Sequence, residues 1–248
     1  MKIIVLLKQV PDLVEDLEVD VSGKTLDTED IKFKLNEYDD HALEQAILLK
    51  ESGSVDEIIA MAVDGDGTDK MLFTAIAKGA DEAVKLTGGN PSDSHQLGKA
   101  FSNVLASESY DMIFTGVQSV DDRDGQIGPI IGSYLRIPCV SVVSSVEVSG
   151  NIAVIHKEYS GGMMGEFEVD LPAVMGIQAA KQSPRYAPVS KIRQVQETIS
   201  IKEAPMGELG SGGGSSVVSM APPKKGAGAE MLEDVEALVD VLKDKGAI

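Results

Sequence analysis

Residues 111–135 read DMIFTGVQSVDDRDGQIGPIIGSYL. A short apolar run, 111–115, stops at Gly116, and a loop rich in Asp and Gly follows. Ile130, Ile131, Tyr134 and Leu135 then recur at helical spacing, which predicts a helix starting near Gly125. A strand that feeds a helix through a tight glycine-containing loop is one half of a parallel crossover unit. The same grammar recurs upstream, with apolar runs at 2–8, 57–63 and 82–86. Between the first two, Asn36 can cap a helix whose face is Ala42, Leu43, Ala46, Ile47 and Leu49 and which Gly53 ends. After VDGDGTD, the residues Met71, Leu72, Ala75 and Ile76 predict a second helix, and 94–107 a third. Every strand feeds a helix in the same sense. The expected fold is therefore α/β, a doubly wound, mostly parallel, Rossmann-like sheet whose loops at the strand carboxyl ends line one crevice, the usual seat of a nucleotide.

Downstream the pattern changes. Residues 138–178 read as four strands, CVSVVSSVEV, NIAVIHKEY, EFEV and AVMGI, with a Ser-Gly hairpin at 149–150, and predict an antiparallel extension of the sheet. The stretch 202–229 holds Pro205, GSGGGSS, Pro222 and Pro223 with little periodicity, so it cannot form a core. A helix over 230–245 follows, with Met231, Leu232, Val235, Leu238, Val239 and Leu242 on one face. A connection this long is improbable inside a compact domain, so the terminal arm is expected to reach over another chain.

Composition limits the function. Forty acids stand against 22 Lys and Arg, a formal charge of -18 over 248 residues, which argues against nucleic acid and anionic membrane surfaces. The apolar start, Ile3 to Leu7, is too short for a secretory leader or a membrane span, so the expected location is cytoplasmic, without direct membrane insertion. Cys139 cannot make an internal disulfide, and its strand-like setting predicts a small buried hydrophobe.

The loop GVQSVDDRDGQIGP at 116–129 carries the densest local signal. Amides of Gly125, Gln126, Ile127 and Gly128 at a helix entrance could hold a phosphate without a cation, with the aspartates turned to hydroxyls, a base amino group or the helix itself. The competing reading is an Asp-rich capping loop. A calcium loop fails, because the register set by Asp122, Asp124 and Gly125 places Val120 at the first ligand position and Ile131 where a bidentate Glu is required. Metal ligands are expected nowhere. Phosphate-loop readings fail at Gly23-Lys24-Thr25, where Glu18 replaces the partner glycine, and at Gly98-Lys99, which Ala100 follows. Gly65-Asp66-Gly67 has Lys70 in place of a third glycine. No Ser or Cys lies in a nucleophile elbow, and His41, His95 and His156 fall on different elements, so no catalytic residue is assigned.

The loop nevertheless resembles the G-x-Q-(A/S)-x-D-x-D-x-x-Q-x-G stretch of electron-transfer flavoprotein beta subunits. KQVPD at 8–12, LNEYDDHALEQAILLKE at 35–51, KGADEAVKL at 78–86, LPAVMGI at 171–177 and SPRYAPVSKI at 183–192 agree in order, over nearly the whole chain. The resemblance implies a heterodimer with an alpha subunit that holds the redox-active FAD, while this chain binds AMP. Electrons would come from flavin dehydrogenases of the acyl-CoA dehydrogenase type and go to a quinone-linked or other acceptor. No bond-making residue is then needed, because the flavin does the chemistry.

By position, the resemblance puts the nucleotide against Leu6, Asn36, Glu37, Tyr38, Asp39 and Val63. In the loop it implicates Gly116, Val117, Gln118, Ser119, Val120, Asp121, Asp122, Arg123, Asp124, Gly125, Gln126, Ile127 and Gly128. It also implies that Tyr186, Val189 and Ile192 dock partner enzymes. The expected division is 1–182 as the nucleotide-binding domain and 183–248 as docking loop, arm and terminal helix wrapping the partner. Glu37 stands where the family has proline. The opening KQVPD and the pair Asp93-Ser94 resemble the electron-bifurcating branch, which keeps a second FAD in place of AMP, with NADH oxidation, as an alternative. Two other classes fit poorly. An adenylating enzyme would need Asp and Ser after Ser160-Gly161-Gly162, and an ATP-binding stress-type module would need a glycine where Pro138 stands.

Overall fold

The structure is a computed structural model and describes residues 1–213, 216–224, 226 and 228–248. Two compact units result, one of Met1–Asp16 with Thr28–Ser216, the other of Leu17–Asp27 with Val217–Ile248.

The first unit is built on a nine-stranded sheet. Its parallel part comprises β1 (Lys2–Leu6), β4 (Glu57–Val63), β5 (Glu82–Thr87), β6 (Met112–Gly116), β7 (Cys139–Ser149), β10 (Ala173–Ile177) and β11 (Lys202–Pro205). Strands β8 (Ile152–Tyr159) and β9 (Met163–Asp170) complete the order β11-β5-β4-β1-β6-β10-β7-β8-β9. A separate two-stranded ribbon pairs β2 (Gln9–Pro11) with β3 (Phe33–Leu35). Ile3 and Val5 of β1 pack on one side of the sheet and Ile4 and Leu6 on the other. A strand covered on both faces needs such a continuous apolar run.

Helices α1 (Glu37–Glu51), α2 (Thr68–Lys78) and α5 (Val189–Thr198) lie on one side, and α3 (Ser94–Leu105) and α4 (Ile127–Leu135) on the other. The chain passes from β1 through α1 to β4 in one direction, then from β5 through α3 to β6 on the far side of β1. The sheet therefore reverses its order between β1 and β6, and a crevice opens outside their carboxyl ends.

The expected antiparallel extension holds for β8 and β9, whereas β7 and β10 run parallel to the core strands. All five residues of AVMGI are buried, so β10 can only sit inside the sheet, between β6 and β7. β7 switches from parallel pairing with β10 to antiparallel pairing with β8 around Val142, whose φ of 66° makes a bulge. The edge strand β9 and its hairpin leave Tyr159, Met163, Met164 and Phe167 exposed.

Two elements lie where the sequence predicts neither strand nor helix. Lys202–Pro205 adds β11 beside β5, with Pro205 at the sheet edge where a missing N–H costs no ladder bond. The segment expected to dock partner enzymes turns into α5, which starts after Pro188. Residues 206–213 then run along α3, where Asn103 Nδ2 donates to the Met206 and Glu208 carbonyls and Gln96 Nε2 to Gly210 O.

In the second unit, Val19 bridges Leu26 and Met220 N–H donates to Gly23 O. Helix α6 (Val235–Asp244) begins later than the apolar periodicity predicts, because the Asp234 side chain caps it by accepting from Ala237 N–H at 2.8 Å. None of its residues is buried. Gly214, Ser215, Lys225 and Ala227 of the predicted arm fall outside the described residues.

Candidate functional site

At the reversal point, the end of β1, the first turn of α1 and the loop after β6 converge. Asp39 joins them: its Oδ2 accepts from Lys8 N–H at 2.8 Å and its Oδ1 from Gly116 N–H at 2.9 Å. Gly116 is required there, since a Cβ would lie 2.7 Å from Tyr38 Cβ and 2.9 Å from Asp39 N. Burial pushes the Asp39 carboxyl up to about 7, against the opposing pull of these amides, the Asn36 side chain and the Lys8 charge.

Asn36 precedes α1 but does not cap it with its side chain. Its Nδ2 instead donates to Gln118 O at 2.9 Å, tying the helix start to the loop. Asn36 Oδ1 and Thr115 Oγ1 are buried with no hydrogen-bond partner. Both residues line a small pocket of about 40 Å³, walled also by Leu6, Gly116, Ser119 and Ile127. A neighbouring cleft of about 320 Å³ extends past Val63, Gly65 and Thr68. The two share Leu7, Lys8, Leu97 and Phe101.

Lys8 Nζ reaches across to the loop, 3.0 Å from Ser119 Oγ, Asp121 Oδ1 and Asp122 Oδ2. Burial works against its charge, but the two carboxylates outweigh it and hold the ammonium above the ordinary lysine range. For Asp121 burial favours the proton, yet the Lys8 bond prevails and its pKa is lowered.

The loop then folds on itself. Asp124 Oδ1 accepts from Gln126 N–H at 3.1 Å, so one of the four amides expected for a phosphate is engaged. Those of Ile127 and Gly128 open the first turn of α4, where helix geometry leaves amides unpaired. Arg123 is exposed, with φ 55°, and its side chain makes no ion pair among the described residues.

The electron transfer flavoprotein domain profile matches residues 24–204. The "Electron transfer flavoprotein subunit beta" of Methylophilus methylotrophus is 38% identical over 215 residues, 85% of this chain and 81% of that one. The protein of the same name from Syntrophomonas wolfei is 29% identical over 98% of this chain and 95% of its own length. The mitochondrial subunit beta of Arabidopsis thaliana is 28% identical over the full length of both. The chain belongs to the electron transfer flavoprotein beta-subunit family.

In this member of the family, eleven residues implicated by the resemblance border the small pocket: Leu6, Asn36, Asp39, Gly116 through Ser119, Asp122, Asp124, Gly125 and Ile127. Val63 borders the larger cleft. Glu37, Tyr38, Val120, Asp121, Arg123, Gln126 and Gly128 line neither. Lys8, Leu97, Phe101 and Thr115 line the site and escaped the sequence reading. Only the KQVPD landmark pointed toward Lys8.

The pair Asp93-Ser94 lies at the start of α3, where Asp93 accepts from Gln96 N–H at 2.9 Å and from Gly213 N–H at 2.7 Å. Ser94 is buried.

The segment before α5 is pinned to α1. Arg185 forks onto Glu44, with Nη2 to Oε1 at 2.9 Å and Nε to Oε2 at 2.9 Å, and its Nη1 reaches Glu51. Glu44 also accepts from Gln182 and from Arg185 N–H. Burial opposes the Glu44 charge, but these donors win and hold its pKa below the usual carboxylate range. Beyond the pin, Tyr186 and Val189 are exposed and Ile192 is half-buried.

Cys139 is half-buried, and burial pushes its thiol up. Among the described residues no cluster of His, Cys, Asp and Glu could hold a metal, and no helix is long and apolar enough to cross a membrane.

Proposed function

We propose that this chain pairs with a flavin-bearing alpha subunit as a cytoplasmic electron carrier. In that reading AMP sits in its crevice as a structural ligand. Electrons pass from flavin dehydrogenases of the acyl-CoA type to a quinone-linked or other acceptor through the FAD of the larger partner.

One observation carries the nucleotide assignment. Two buried polar atoms without partners, Asn36 Oδ1 and Thr115 Oγ1, line a pocket at the point where the sheet reverses, beside the start of α4. Buried polar atoms are nearly always satisfied, so these favour a polar ligand. The residues suit an adenylate: Asn36 and Thr115 for base or ribose, Gly116 for close backbone approach, and the Ile127 and Gly128 amides with Lys8 for phosphate. The ligand would supply no electron chemistry. The chain's part is to hold it and to fix the loops around it.

The adjoining cleft of about 320 Å³ favours a second reading, a longer dinucleotide such as a second FAD, with NADH oxidation. Against it, the Asp93-Ser94 corner is already engaged by Gln96 and Gly213. The segment Tyr186, Val189 and Ile192 is assigned to dehydrogenase docking. The exposed apolar face of α6, with the arm from residue 217 that leads to it, is assigned to wrapping the alpha subunit.

The test is to purify the chain with its large subunit and count flavin and adenosine phosphates per heterodimer. One FAD with one AMP is expected. Two FAD without AMP would establish the bifurcating alternative, and a pair without flavin would overturn the carrier reading.

A further inference from the structure

Lys8 is the one cation on the walls of either pocket among the described residues, against Asp39, Asp64, Asp66, Asp122 and Asp124. A phosphate entering there meets surplus negative charge. Lys8 meanwhile spends its three donors on Ser119, Asp121 and Asp122, all on the loop that closes the far side of the pocket. Two carboxylates share one ammonium, so the cluster is net negative and its lysine is over-supplied with acceptors.

Lysine suits an exchange of partners: a compact charge on a flexible four-carbon stem, with three rotatable donors. The basic residue of the loop itself, Arg123, is exposed and lines neither pocket.

Resting on the adenylate reading above, we propose that Lys8 determines specificity for the phosphate. It leaves Asp121 and Asp122 to pair with the ligand's phosphate, and so selects AMP over adenosine. The two aspartates are the internal competitors that hold Lys8 over the pocket until a phosphate replaces them. The α4 amides alone would serve any phosphate weakly; the lysine supplies the charge that the acidic walls otherwise deny.

The experiment is calorimetric titration of AMP and of adenosine into the nucleotide-stripped complex with the large subunit. The native complex should bind AMP at least about tenfold more tightly than adenosine. Lys8→Met should weaken AMP roughly 10- to 100-fold, the value of a hydrogen bond to a charged group, and leave adenosine unchanged. Asp121→Asn with Asp122→Asn should tighten AMP and leave adenosine alone, which tests the exchange from the other side should Lys8→Met fail to fold. An AMP preference that survives Lys8→Met, or is lost in Arg123→Ala instead, overturns the proposal. A native complex that binds neither compound overturns the adenylate reading as well, a result distinct from binding without discrimination.

Discussion

Removal of the Arg185 guanidinium tests how the segment before α5 is held. The Glu44 side chain is 1% exposed and Arg185 28%. Arg185→Ala leaves that carboxylate buried with only Gln182 and the residue 185 amide as donors. Breaking a buried pair by removing one partner costs about 3–5 kcal/mol. Water reaches the arginine and two neutral donors remain, so the lower end applies, about 3 kcal/mol. The Arg185–Glu51 bridge, with Glu51 56% exposed, contributes less than about 1 kcal/mol. Urea denaturation followed by circular dichroism should show that loss, and Tm should fall by roughly 6–12 °C for a chain of this size. Glu44→Gln in the same chain should recover much of it, because a neutral amide is cheaper to bury than an orphaned charge. The pH dependence has a definite sign. Arg185 keeps the Glu44 pKa below that of the unfolded chain, so this stability is present above the carboxylate range and lost as pH falls through it. Native and Arg185→Ala proteins should therefore converge in stability on acidification. A loss under about 1 kcal/mol, or a double variant no more stable than Arg185→Ala, would refute the account of a buried charge held by one fork.

Three further outcomes are expected. Asp39 has its folded pKa raised to about 7, so the native state binds a proton that the unfolded chain has released, and this group's contribution declines as pH rises from the ordinary Asp range to about 7. In urea titrations from pH 5 to 8, Asp39→Asn should trail the native protein most at pH 5, and a gap independent of pH would contradict the assignment. Gly116→Ala should cost about 1–3 kcal/mol and empty the complex of nucleotide, because the new methyl would press on Asp39 and Tyr38; retention of full AMP content would count against it. Asp93→Ala removes both the cap of α3 and the bond to Gly213, so it should cost about 1 kcal/mol and speed proteolysis within 206–213, and cleavage at the native rate would show the arm is held elsewhere.

Much of this was legible in the sequence because each central strand is an apolar run feeding a helix. KIIVL and EIIAMAV have no second reading once a glycine loop and an amphipathic segment follow. The insertion of β10 was not legible, since AVMGI looks the same beside any neighbour and only burial of both faces places it inside. Helix α5 was hidden because its apolar stripe is short and narrow, Val189, Ile192 and Val195 among polar residues, and none of its residues is fully buried. Lys202–Pro205 becomes a strand only because β5 offers an open edge. In the site, the loop aspartates stood out as a motif, whereas Lys8 matters through residues more than a hundred positions away, a relation that no local pattern expresses.

The place of β10 also bears on how the polypeptide emerges from the ribosome. Val117 N–H donates to Ile177 O at 2.9 Å, so the loop that closes the pocket is secured by a strand made some sixty residues later. Nascent chains shorter than that carry the acidic loop beside an unfilled slot in the sheet, whose exposed edges invite wrong pairing. Completion of the pocket wall therefore waits until residue 177 has left the exit tunnel and taken its slot.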